Sequence, residues 1–261
     1  MDETFPDFRT SPVLTRNGFR HAFFTRRGGV SGGPYASLNF SIAVGDTKEN
    51  VERNLALAAR ALSVPVGAVH FLSQVHGAAV YVVTRADDRT ATLHREGDAI
   101  ASSDPEIAVA VRIADCVPIL VGDSKSGAAV AIHAGWRGLV AGVVESGVAA
   151  LRELAGDRGA LVAAIGPHIG VRAFEVSEDV AGTLGALEPD ADAVERQHGP
   201  KPHVSLARIA RRKLERLGLR EDSIDLVPGC THDEPELFYS FRRDGKVGGR
   251  HLAAIVPRGP R

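Results

Sequence analysis

The amino-acid sequence predicts an α+β fold, built as a single domain over residues 1–261 with mixed β-sheets, and three observations carry that expectation. Apolar runs of strand length follow one another directly, with only turns between them. Helical periodicity of about 3.6 residues appears in separate segments, as over 138–154 and 205–219. No strand feeds a G-x-G-x-x-G turn of the kind that opens a doubly wound nucleotide-binding fold. With 261 residues, 44% of them hydrophobic, the chain can bury a sizeable core, and no repeat, low-complexity tract or long linker divides it.

Taken in order, "FRHAFF" (19–24) reads as a strand that runs into the glycine-rich loop "TRRGGVSGGPYASLN". A helix is predicted from Thr47 to Leu62, because Val51, Leu55, Ala58 and Leu62 share one face; Asp46, with Glu49 three residues on, reads as its N-cap. A strand-turn-strand region follows at "AVHFLSQVHGAAVYVV", broken by Gly77, and the polar stretch "TRADDRTATLHREGD" reads as a loop. "IAVAVRI", "VPILV" and "AAVAIH" look like adjacent buried strands, the last two joined by the turn "GDSKSG". Beyond His133 the period changes, so "GLVAGVVESGVAALREL" is predicted as one helix, with glycines 135 and 138 letting the chain turn sharply into it. "ALVAAIGPHIG" is a strand, "ALEPDADAVERQHGPKPHV" a polar connection, and "SLARIARRKLERLGL" an amphipathic helix capped by Ser205. Two strands, "IDLV" and "HLAAIV", flank the C-terminal loop "CTHDEPELFYSFRRDGKVGGR".

The 31 basic and 32 acidic residues are spread along the chain and leave a net charge of −1, so no global basic field draws it to nucleic acid or anionic lipid. "MDETFPDFRT" lacks the pattern of a secretory signal, and the longest apolar region, "IAVAVRIADCVPILV", is interrupted by Arg112, Asp115 and Pro118. Two cysteines cannot build a disulfide framework. The expectation is a cytoplasmic protein without nucleic-acid or membrane partners; no pattern predicts its oligomeric state.

Candidate ligands for a metal are Cys116, Cys230 and ten histidines. His76 in "QVHG", Cys116 in "ADC" and His133 in "AIHAGWRG" all fall at strand edges, where a side chain can face a cleft. Two imidazoles and a thiolate are three of the four ligands of a tetrahedral zinc, with the last position left for water or substrate. On spacing alone, an inert core cysteine and satisfied strand histidines are the stronger reading of the same residues. "AGWRG" sets Arg137 at a helix N-terminus, "TRRGG" offers Arg26 and Arg27, and "SFRRDG" offers Arg242 and Arg243; each could hold an anion or be an ordinary solvated arginine.

In order and over nearly the whole chain, "TRRGGVSGGPYASLN", "GDTKENVERN", "QVHG", "ADCVPIL", "AIHAGWRG", "IGPHIGVRAFEV" and the C-terminal loop resemble the laccase-domain family, bacterial proteins labelled polyphenol oxidases or purine nucleoside phosphorylases. The resemblance implies a four-layer α/β/β/α arrangement and the metal ligands His76, Cys116 and His133. It further implies zinc-dependent phosphorolysis of adenosine, inosine and methylthioadenosine, together with adenosine deamination. Purine nucleosides and phosphate would be the partners. Deamination needs a proton shuttle, for which Asp98 and Asp115 are the candidates. Phosphorolysis needs arginines under the ribose, for which Arg26, Arg137 and Arg243 are candidates, with Arg172 and Phe174 on a pocket wall. Ile113 before "ADC", Ser205, and one extra residue before Gly249 depart from the family pattern without touching the trio.

Copper can bind two histidines and a cysteine, but no two histidines are one residue apart, as a trinuclear cluster requires, and Met1 is the only methionine for a blue-copper site. A laccase mechanism is therefore disfavoured. Two further alternatives are a metal-free hydrolase with Cys116 as nucleophile and His133 as base, and a purine- or phosphate-binding module whose structural metal is closed by Cys230. Trp136 is expected to pack over the turn.

Overall fold

The computed structural model describes residues 5–156 and 159–259. In chain order its strands and α-helices are β1 (Phe8–Arg9), α1 (Pro12–Arg16), β2 (Arg20–Phe24), α2 (Lys48–Ala61), β3 (Val69–His70), β4 (Val80–Val82), α3 (Arg89–Leu93), β5 (Ala99–Ser102), β6 (Ala108–Ile113), β7 (Val117–Asp123), β8 (Ala129–Ala134), α4 (Trp136–Ala141), α5 (Val143–Ala155), β9 (Leu161–Ile165), α6 (Glu178–Leu187), β10 (Val194–Glu195), β11 (His203–Val204), α7 (Leu206–Arg216), β12 (Ile224–Leu226), α8 (Phe241–Asp244) and β13 (His251–Val256). Among the described residues they form two mixed sheets and a small ribbon, β10-β11. The first sheet has the order β1-β2-β13-β6-β3, with β3 parallel to β6; the second has the order β12-β9-β7-β8-β5-β4, with parallel pairs at both edges.

Strand alternation turns these sheets into layers. On β6, Val109 and Val111 pack with Leu120, Ala129 and Ala131 of the second sheet, while Ala108 and Ala110 pack with Leu55, Ala58 and Ala59 of α2. On the other sheet, Ile119, Val130 and Ile132 pack with Val144 and Val148 of α5 and Leu214 of α7. The order helix, sheet, sheet, helix is the α+β arrangement expected. No described helix is long and apolar enough to cross a membrane.

Several local expectations change. Residues 138–154 are not one helix, because Gly142 adopts φ +86° between α4 and α5, a conformation that glycine takes freely. Thr47, not Asp46, caps α2 by accepting the Asn50 N–H. Asp46 instead accepts from Ser31, Asn39, Asn50 and the Thr47 N–H, tying the glycine-rich loop to the start of the helix. The polar stretch 84–98 contains α3, and the connection 186–204 contains the paired strands β10 and β11. β5 and α6 escape the sequence reading. The small residues Ala181, Gly182 and Gly185 give α6 little periodic contrast. Ser205 caps α7 through the Arg208 N–H, as expected.

Candidate metal centre and active-site cavity

β7 and β8 pair antiparallel with Pro118 opposite His133, so Cys116, immediately before β7, lies at the same end of the hairpin as His133. His76 reaches them from the loop between β3 and β4. Asp98, fully buried before β5, organises that meeting: it accepts the N–H groups of Val75 (3.2 Å), His76 (3.0 Å) and Gly77 (2.7 Å), and its Oδ1 is 2.8 Å from His133 Nδ1. Holding Nδ1 leaves Nε2 as the ligating nitrogen.

The ligand atoms of His76, Cys116 and His133 all lie within 4.8 Å of one another, with Cys116 Sγ 3.8 Å from His76 Nε2. Ligands at tetrahedral bond lengths stand roughly 3.6 Å apart, so this set of two nitrogens and one sulfur fits a divalent metal of borderline softness. Gly135 leaves the room required. A Cβ there would meet His76 Cδ2 at 2.8 Å and Cys116 Sγ at 3.0 Å. Its own φ of −74° is ordinary, so space, not turn geometry, demands this glycine; Gly138 lies within α4. Backbone strain instead falls on His76 (φ +60°) and Asp115 (φ +87°), left-handed conformations costing about 1 kcal/mol or more each.

Charge is tuned to match. Burial alone would raise the Cys116 thiol, but the charge and hydrogen bonds of His133 and His76 overrule it and bring it down to about 6. Burial would lower His133, yet the Cys116 thiolate and Asp98 raise it to about 9. Asp98 stays ionised despite burial, through His133 and the surrounding N–H groups.

The trio opens into a cavity of about 530 Å³, whose charged lining also includes Arg112, Arg137, Arg242, Arg250 and Asp115. Trp136, Phe174 and Phe241 supply aromatic walls. Trp136 also packs on the core beneath α4, as expected, with the Arg137 guanidinium 4.3 Å from its ring centre.

The remaining sequence candidates divide. Asp115 lines the cavity, but its oxygens are taken by the Thr231 hydroxyl and the Arg242 N–H, each at 2.6 Å. Asp98 lies behind His133 and does not line the cavity. Arg26 gives its guanidinium to the carbonyls of Ala36 and Pro235, and Arg243 gives its own to the carbonyls of Thr231, His232 and Phe238 and to Asp244; neither lines the cavity. Arg172 is exposed and outside it as well. Cys230 stands apart from the trio, accepting the Gly170 N–H at 3.2 Å. Arg112, Arg250, Gln74, Ser41 and Phe241 line the cavity without having been singled out as site residues. For Arg112 a signal existed, a charge in the middle of an apolar strand.

The family model described as multi-copper polyphenol oxidoreductase laccase matches residues 20–258. A Streptomyces coelicolor protein named purine nucleoside phosphorylase SCO2081 is 41% identical over 93% of this chain and 96% of its own length. An Escherichia coli protein named purine nucleoside phosphorylase YfiH is 38% identical over 88% and 90%. Among solved structures, YlmD from Geobacillus stearothermophilus superposes with a TM-score of 0.86 at 30% identity, covering 96% of this chain and 98% of that one; a Bacillus licheniformis protein titled YfiH gives 0.88 at 27%, covering 98% of each. Profile, relatives and structures agree over nearly the full length, and the chain belongs to the family described as multi-copper polyphenol oxidoreductase laccase.

Proposed function

We propose that the protein is a zinc-dependent purine nucleoside phosphorylase acting on adenosine, inosine and methylthioadenosine, which also deaminates adenosine at the same centre. The observation that carries this reading is a group of two histidines and one cysteine opening into a cavity whose other ionic lining is almost all arginine. Relatives named purine nucleoside phosphorylase supply the substrate class. Three protein ligands with Cys230 apart leave a coordination position open, which favours a catalytic over a structural metal. Zinc bound there would supply Lewis acidity toward a substrate oxygen or a water.

The chain's own groups have separable tasks. Asp98 is a positioning residue that fixes the His133 ring and the 75–77 backbone together. The arginines attract and orient an anionic co-substrate, and the aromatic walls exclude water and offer faces for a purine. In phosphorolysis a phosphate oxygen bonds to ribose C1′ as the C1′–N9 bond breaks; its electron pair goes to the base, which takes up a proton. The reaction consumes cytosolic metabolites, in keeping with a cytoplasmic location.

Incubating the protein with adenosine, with and without phosphate, and resolving products by chromatography tests the reading. Adenine and ribose 1-phosphate formed only with phosphate are expected, with inosine forming in either case. No turnover under either condition would refute it.

A further inference from the structure

The first sheet brings to this cavity something the metal-ligating trio does not explain: two arginines with no carboxylate in ion-pair contact. Arg112 is on β6 and Arg250 directly precedes β13, its antiparallel neighbour, where Leu252 pairs with Arg112. Both line the cavity that holds Cys116 and His133. Arg112 lies 4.7 Å from the Phe71 ring centre and donates through Nη2 to the Leu72 carbonyl. Arg250 donates through Nη1 to the carbonyls of Gly248 and Gly249. Among the described residues, Nε and Nη1 of Arg112 and Nε and Nη2 of Arg250 have no protein acceptor, and neither side chain has a carboxylate ion-pair partner.

Two half-buried like charges destabilise each other unless an anion sits with them. Burial and the charge of Arg250 together pull Arg112 down to about 10. Asp115 and the Cys116 thiolate both act on Arg250 against its burial, but the Asp115 oxygens are already engaged by Thr231 and Arg242, and the thiolate belongs to the metal-ligating trio. The Ser41 hydroxyl, also without a protein partner among the described residues, lines the same cavity.

We propose that Arg112 and Arg250 form a phosphate-binding subsite in the cavity that contains the metal ligands. Their unused N–H donors suit a tetrahedral oxyanion, which can accept paired bonds from each planar guanidinium. That the phosphate is the attacking co-substrate rests on the phosphorolysis reading; the 5′-phosphate of a nucleotide presents the same chemistry.

The test is calorimetric titration of the full chain with inorganic phosphate and, separately, with adenosine 5′-monophosphate, in the parent, Arg112→Met, Arg250→Met, Arg250→Lys and the surface control Arg220→Met. Circular dichroism melting checks each fold, and the Arg250 pair keeps the test decisive if Arg112→Met does not fold. Each methionine variant should lose phosphate affinity by about tenfold or more, the scale of a charge-assisted hydrogen bond, with Arg250→Lys intermediate and Arg220→Met unchanged. In turnover the KM for phosphate should rise while that for the nucleoside stays. Unchanged phosphate affinity in the folded methionine variants, or no binding of either probe to the parent, overturns the subsite even if the parent cleaves nucleosides. Phosphate binding that depends on both arginines without phosphate-dependent turnover upholds the subsite and refutes phosphorolysis. Monophosphate binding through the same arginines without inorganic phosphate binding assigns the subsite to an ester and likewise upholds it.

Discussion

His251 on β13 and His133 on β8 are both buried strand histidines, yet burial pulls the first down to about 3, whereas the charges beside the second raise it, in the absence of a metal, to about 9. Burial dominates at His251, where Nε2 accepts the Tyr239 N–H and no carboxylate approaches. His21 and His70 in the same sheet are also pulled down by burial. At His133 burial acts in the same direction but is outweighed by a thiolate on one side and the Asp98 carboxylate on the other. A buried histidine thus becomes a working group through the charges aimed at it. The contrast also separates the sheets by task. The β7-β8 hairpin of the second sheet holds Cys116 and His133, and the first sheet, besides structural histidines, contributes Arg112 and Arg250 to the cavity.

The most severe challenge to this division is to remove the ligands. Cys116→Ser and His133→Asn should each lower retained metal from about one ion per chain to near none and reduce turnover by roughly a thousandfold, whereas His251→Asn should keep its metal. Elemental analysis after gel filtration, paired with turnover, reads both. If His251→Asn lost metal as fully as His133→Asn, the distinction between the sheets would fail. Next in size, Gly135→Ala should displace His76 and Cys116 and weaken metal affinity on the order of a hundredfold, by competition with a chromophoric chelator, because its Cβ has no room.

A milder change tests the charges themselves. Asp98→Asn keeps the shape but removes the carboxylate from His133, so metal affinity should fall by about 10- to 100-fold with little change in secondary structure. The last test leaves metal and turnover aside and reads only stability, at the structural histidine. Unfolded His251 takes a proton near pH 6.5, but the folded residue cannot until about pH 3. Its contribution is therefore complete above 6.5 and lost as pH falls toward 3, at about 1.4 kcal/mol per pH unit. Urea midpoints across that window should fall less steeply in His251→Gln than in the parent; equal slopes would show that the residue titrates normally in the fold.

Much of this is legible in the sequence, and the exceptions have physical causes. Period-2 and period-3.6 patterns reveal most strands and α2, α5 and α7, because those elements bury one face. α6 escapes where small residues blur the periodicity, and the break at Gly142 depends on a left-handed conformation that spacing does not reveal. The trio can be named from motifs, but "AIHAG" and "RHAFF" look alike as strings, and only tertiary neighbours distinguish His133 from His21. Arginines mislead for the same reason. Arg26 and Arg243, each close to glycines in the sequence, suggest ligands but spend their donors mainly on backbone carbonyls, while Arg112 within β6 and Arg250 just before β13 keep donors free.

Whether the His76–Cys116–His133 trio and the arginines of the first sheet serve a single phosphorolytic site can be decided by phosphorus NMR of the metal-loaded protein with inosine and inorganic phosphate. A ribose 1-phosphate resonance should grow as the inorganic phosphate signal declines, absent with Cys116→Ser and slowed at low phosphate with Arg250→Met. An unchanged phosphate signal with metal-replete, folded parent protein would contradict a shared site.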